Sequence, residues 1–129
     1  MSAPELFNPN TVAPPVAAYS QAGWVKAGSD LLYIAGQVGL RVDGTLVDGI
    51  DAQAEEAFAN IARILEGAGL TPANLVKINT YLVYGQPVTA VRVARNKAFG
   101  DARPASTLIT VPQLVEPKYL IEVEAVAAR

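Results

Sequence analysis

The chain contains no cysteine and no histidine. Without cysteine there is no disulfide, thiol nucleophile, iron–sulfur cluster or thiolate-bound zinc. Without histidine the commonest general base and the usual transition-metal ligand go as well, and with them every Ser–His or Cys–His dyad. Chemistry must therefore rest on carboxylates, tyrosine, hydroxyls, lysine, arginine or backbone amides. Charge is also scarce. Asp, Glu, Lys and Arg make up 17% of the residues, and the formal net charge is −2. That balance supplies no excess cation to hold phosphate backbones, so nucleic acid is not an expected partner. No apolar run approaches the roughly 20 residues a membrane span needs. The opening MSAPELFNPN lacks the basic and apolar regions of a signal peptide. These absences predict a cytoplasmic protein with no membrane attachment.

Apolar surface is plentiful, at 51% of 129 residues. That length suits one domain over 1–129, since domains most often run to about 100–150 residues. Residues 1–18 carry Pro4, Pro9, Pro14 and Pro15, which remove backbone donors and favour an extended arm. Two β-like runs follow from Tyr19, separated by Ala27-Gly28-Ser29-Asp30, and a hairpin is the simplest pairing. In the second run Leu32, Ile34, Gly36 and Val38 share one face and Leu31, Tyr33, Ala35 and Gln37 the other. Both faces are largely apolar, which predicts cover on both sides.

Asp51 is placed to cap a helix running to about Leu70, with Ala54, Ala57, Phe58, Ile61, Ile64, Leu65 and Ala68 on one stripe. Leu75–Val83 alternates as a strand. Val88–Phe99 reads as a second helix, with Val88, Val91, Ala94, Ala98 and Phe99 inward and Arg92, Arg95 and Lys97 mostly outward. Ala105–Val111 and Tyr119–Ala127 read as a final pair of strands. The order ββαβαββ predicts an α+β sandwich, a sheet with helices on one face. The bare face predicts self-association, which closed rings satisfy.

In the last strand Leu120, Glu122, Glu124 and Val126 point one way. Two carboxylates on one partly apolar face make one of them a candidate acid, base or water-orienting group. A wet strand edge, or ion pairs to Arg92, Arg95 or Arg103, explains them equally. Gly36 inside a strand marks either a bulge or a close approach of a ligand to the backbone. Arg103, Ser106 and Thr107 stand at a strand entrance where a carboxylate ligand could be bound, with a solvated loop as the plain alternative. Tyr19 opens the first strand as either a ligand donor or a packing residue. There is no Gly-rich phosphate loop, EF-hand or paired-acid metal motif.

Tyr19-Ser20-Gln21, Leu32-Tyr33-Ile34-Ala35-Gly36-Gln37, Leu65-Glu66-Gly67-Ala68-Gly69-Leu70, Leu75-Val76-Lys77, Arg103-Pro104-Ala105-Ser106 and Ile121-Glu122-Val123-Glu124-Ala125-Val126-Ala127 occur in an order that resembles the Rid family. These reactive-intermediate deaminases are also called YjgF-like or L-PSP endoribonucleases. The resemblance implies a chorismate-mutase-like fold, a homotrimer with a small-molecule cleft at each subunit interface, and no cofactor or metal. Deaminating members hydrolyse an imino or enamino acid to a 2-keto acid and ammonia. It further implies Glu122 as the acid that positions water, Gly36 with its backbone against the ligand, and Tyr19 at the cleft entrance, beside Ser106 and Thr107. The deaminating pattern Pro-Ala-Arg-Ser/Thr reads Pro104-Ala105-Ser106-Thr107 here, so serine stands where the carboxylate-binding arginine belongs. Arg103 is the candidate replacement. The family's asparagine on the second helix falls at Val93, which implies a more apolar pocket. Atypical or weak imine hydrolysis is the leading expectation, a non-catalytic metabolite-binding trimer the second. An endoribonuclease acting as translation inhibitor has the least physical support.

Overall fold

The computed structural model describes residues 3–129. Alternation of apolar and polar side chains builds most of its strands, and they come in two sheets. A short one pairs β1 (Glu5–Phe7) with β2 (Ala22–Trp24) antiparallel. The main sheet runs in the order β3 (Leu31–Gln37), β6 (Ile121–Ala128), β4 (Leu75–Val83), β5 (Ala105–Val111). Helices α1 (Ile50–Gly67) and α2 (Val88–Phe99) complete the α+β fold. β6 is antiparallel to both neighbours, whereas β4 and β5 are parallel. A parallel pair requires a long crossover, and α2 supplies it.

The core lies between α1 and the inner face of the main sheet. Ala54, Ala57, Phe58, Ile61 and Leu65 repeat at helical spacing and are fully buried. They meet Ile121, Val123 and Ala125, which repeat every second residue along β6, and Ile78 and Leu82 on the same face of β4. Phe58 and Phe99 join the two helices edge to face, with ring centroids 5.5 Å apart. A one-residue slip of β6 would drive its two glutamates into this core, so burial pins the register.

Several pairings differ from the sequence expectation. β3 forms no hairpin with the run before it. The proline-rich arm contributes β1, which takes β2 as its partner, and Leu6 packs over Gly23, its Cδ2 lying 2.7 Å from where a Cβ would sit. β3 pairs instead with the C-terminal strand. Nor are the last two strands neighbours, because β6 enters the middle of the sheet. Its inner residues are buried along its whole length, and that burial is available only in a central position. The outer face of β3 is not covered by this chain, since Leu31 and Tyr33 are exposed. Helix α1 starts at Gly49, with a φ of 83°, rather than with an Asp51 cap. Asp51 stands in the first turn, where a negative charge suits the helix dipole.

Helix α2 carries the largest reversal. Arg95, expected outward, is 7% exposed, while Val88, expected inward, is 37% exposed and lines the same cavity as Arg95. Arg95 lies four residues after Val91 and one after Ala94, on the same stripe.

Candidate functional site

The candidate residues fall into groups on opposite faces of the main sheet. On the outer face Glu122 pairs in register with Tyr81, and Glu124 with Asn79. The two acids have different surroundings. Asn79 Nδ2 and Tyr81 Oη both donate to Glu124 Oε2, at 3.1 and 3.0 Å. That hydrogen bond, followed by burial and the nearby carboxylate charges, holds the Tyr81 phenol above its ordinary pKa. Glu122 makes no side-chain hydrogen bond or ion pair among the described residues. Its carboxylate lies over Gly36, where a Cβ would come within 1.8 Å of Glu122 Oε2. Between Ile34 and Gln37 the β3 ladder shifts register against β6, so Gly36 occupies an irregularity and leaves the acid its space.

The start of β6 is anchored by Gln53, a buried side chain the sequence reading passed over. Its Oε1 accepts from Leu120 N at 2.9 Å and its Nε2 donates to Lys118 O at 3.1 Å. These bonds hold the chain two residues before Glu122. A buried amide at a helical core position, flanked by Ala52 and Ala54, was the available signal.

On the inner face a cavity of about 300 Å³ opens between α2 and strands β4 and β5. Tyr19 and Ser106 both line it. The arm brings Tyr19 there because Ser20 bridges to Ala105, its N–H donating to Pro104 O at 3.3 Å. Ser106 pairs with Ile78 and shares its inward face. Thr107, the next residue, faces outward and accepts a 2.7 Å hydrogen bond from Lys77 Nζ. Arg103 is not part of the cavity lining. Its Nη1 donates to Gly100 O at 2.9 Å and Ala102 O at 3.0 Å, so it is engaged by carbonyls at the end of α2. One chain therefore brings Tyr19 together with Ser106, and Gly36 together with Glu122, but it does not join the two pairs.

A second hollow, about 650 Å³, borders Gly36 at the end of β3. Three of its polar side chains are joined: Arg63 binds Glu56 and Asn60, and Asn60 donates to Val38 O and Leu40 O. Among the described residues no group of three or more His, Cys, Asp or Glu gathers to hold a metal ion. Among the described residues no helix is long and apolar enough to cross a membrane.

The sequence model described as Endoribonuclease L-PSP matches residues 10–129. The chain belongs to this family, the Rid proteins. A protein of unknown function of the conserved Rid family from Yersinia pestis has the same fold, with a TM-score of 0.88 and 34% identity. That match covers 99% of this chain and 100% of the other. A RutC family protein of Pyrococcus horikoshii is 36% identical over 116 residues, 88% of either chain. A 2-iminobutanoate/2-iminopropanoate deaminase of Capra hircus is 33% identical over 117 residues, 88% of this chain and 82% of that one. In this Rid chain Val93 does not make the cavity more apolar. It is 69% exposed and lies outside the lining, and the charged helix residues that line the cavity are Arg92 and Arg95.

Proposed function

We propose that this Rid protein hydrolyses a small imino or enamino acid to the oxo acid and ammonia, in a cleft shared by two copies of a homotrimer. Glu122 and Gly36 come from one copy, Tyr19 and Ser106 from the next. The observation that carries this reading is the contrast between the two acids of β6. Glu124 is held by two donors, whereas Glu122 has no side-chain partner among the described residues and lies against the bare backbone of Gly36. The reading also draws on the uncovered outer face of β3, which a second copy would bury.

In the proposed step Glu122 takes a proton from water as its oxygen attacks the imine carbon. Glu122 passes that proton to the nitrogen to give a carbinolamine; a second proton then moves from the carbinolamine hydroxyl to the nitrogen as the carbonyl forms, the C–N bond breaks, and ammonia leaves. Tyr19 and Ser106 supply hydroxyl donors to the far end of the substrate. Serine in the arginine position weakens monocarboxylate binding, because a charge-assisted fork contributes about 1.5–3 kcal/mol and a neutral hydroxyl only part of it. The same serine favours a second reading, a trimer that binds a metabolite without turning it over. RNA cleavage has less support, since histidine is absent and the net charge is −2.

An amino-acid oxidase generating imine in situ tests the first reading. Glu122→Gln is expected to lower kcat/KM by about a hundredfold, as loss of a general base does, while Glu124→Gln retains most activity. Ligand-induced thermal shift with no accelerated hydrolysis by the wild type would establish the binding protein instead. Light scattering should return three times the 13.5 kDa chain mass, and a single-chain mass would defeat the shared cleft.

A further inference from the structure

We propose that the inner-face cavity is a subsite for a small dianion, in which Arg92 and Arg95 select a short dicarboxylate over a monocarboxylate. The inference deepens the cleft reading above and rests on it. Arg95 is 7% exposed, and its Nε is buried without a hydrogen-bond partner. The ion pairs among the described residues are Arg63–Glu56, Lys97–Glu55 and Arg129–Asp30, so neither Arg92 nor Arg95 has a carboxylate partner. A guanidinium cannot give up its proton at ordinary pH. Burial without a counter-charge is therefore unfavourable to the folded chain, and a bound anion removes that penalty. Burial and then the charges of Arg103 and Arg92 all press the Arg95 pKa downward, and no acid offsets them.

The rest of the lining matches an organic anion. Ser106, Thr80 and Tyr19 provide hydroxyls, while Phe58, Ile78 and Leu108 provide apolar wall. Arg92 and Arg95 are three residues apart on α2 and so project from neighbouring positions on one side. Two guanidinium groups call for two negative charges, and the apolar wall calls for a carbon chain between or beside them. A cavity of about 300 Å³ suits a chain of a few carbons.

Calorimetric titration of the full chain with 2-oxoglutarate, its methyl-ended analogue 2-oxopentanoate, and inorganic phosphate tests this. 2-Oxoglutarate should bind at least about tenfold more tightly than either of the others. Arg92→Gln should erase the preference for the dicarboxylate. Arg95→Met should abolish binding and raise the melting temperature of the unliganded protein, because it removes an unpaired charge and keeps the stem. Equal affinity for 2-oxoglutarate and 2-oxopentanoate, no binding of either, or tighter binding of phosphate would overturn the proposal. So would an Arg95→Met protein that binds normally or melts lower. Hydrolysis is measured separately. Dicarboxylate binding without turnover defeats only the hydrolase reading. Turnover of monocarboxylate imines by Arg95→Met defeats only the dianion subsite.

Discussion

Glu122 and Arg95, on opposite faces of the main sheet, both lack a side-chain partner among the described residues, and exposure makes the two charges unlike. Glu122 on the outer face is half-exposed, so water can solvate its carboxylate. Arg95 on the inner face is almost fully enclosed and its Nε is buried without a partner, so its guanidinium is much less well solvated. An unpaired but solvated acid is available for proton transfer at little cost to the fold. An unpaired, enclosed cation acts against the fold until an anion arrives. Beside each stands a satisfied counterpart. Glu124 is held by Asn79 and Tyr81, and Arg103 by two carbonyls. Identical side chains a few residues apart thus have different work available to them, and the neighbours decide which.

The contrast can be broken most strongly from the core. Phe58 lies under the cavity and against Phe99, with no exposure. Phe58→Ala should cost about 3–5 kcal/mol of stability, measured by denaturant unfolding. It should also loosen the inner-face cavity more than the outer-face acid site. Gly36→Ala works in the opposite sense. Its φ is not positive, and the clash falls on the flexible end of Glu122. Stability should change by less than about 1 kcal/mol, while hydrolysis falls by about a hundredfold because the carboxylate is displaced. Equal losses in stability and activity would show that Glu122 is merely packed there.

The smallest expected effect concerns Tyr81. Its raised phenol pKa means that the folded state favours the protonated ring. The stabilisation is present below the phenol's ordinary pKa near 10 and is lost as pH rises through the higher folded value. Spectrophotometric titration should find one of the five tyrosines ionising later than the others. Glu124→Gln should bring that group back toward the ordinary range. An unchanged titration would remove the distinction between the two acids.

Much of this organisation is visible in the residues. The stripe Ala54, Ala57, Phe58, Ile61, Leu65 foretells α1, because a helical period of apolar side chains has no other stable use. Alternation along β6 separates Glu122 and Glu124 from the core-facing Ile121, Val123 and Ala125. Arg95 departs from expectation for an identifiable reason: charge favours solvent, yet Val91, Ala94, Ala98 and Phe99 put its position on the buried side. The hairpin expected before β3 failed because a short local turn competes with the larger burial gained against β6.

The sequence by itself determined which residues face inward along α1 and β6, since hydropathy at a period of 3.6 or 2 is a local property. It also set the excluded chemistry, because a chain without cysteine or histidine cannot acquire their reactions by folding. Only the tertiary structure decided that β6 lies between β3 and β4, that Glu122 and Ser106 stand on opposite faces, and that Arg95 ends in a cavity without a counter-charge. Those outcomes depend on contacts between segments far apart in the chain, whose pairing is chosen by total burial rather than by any one segment's composition.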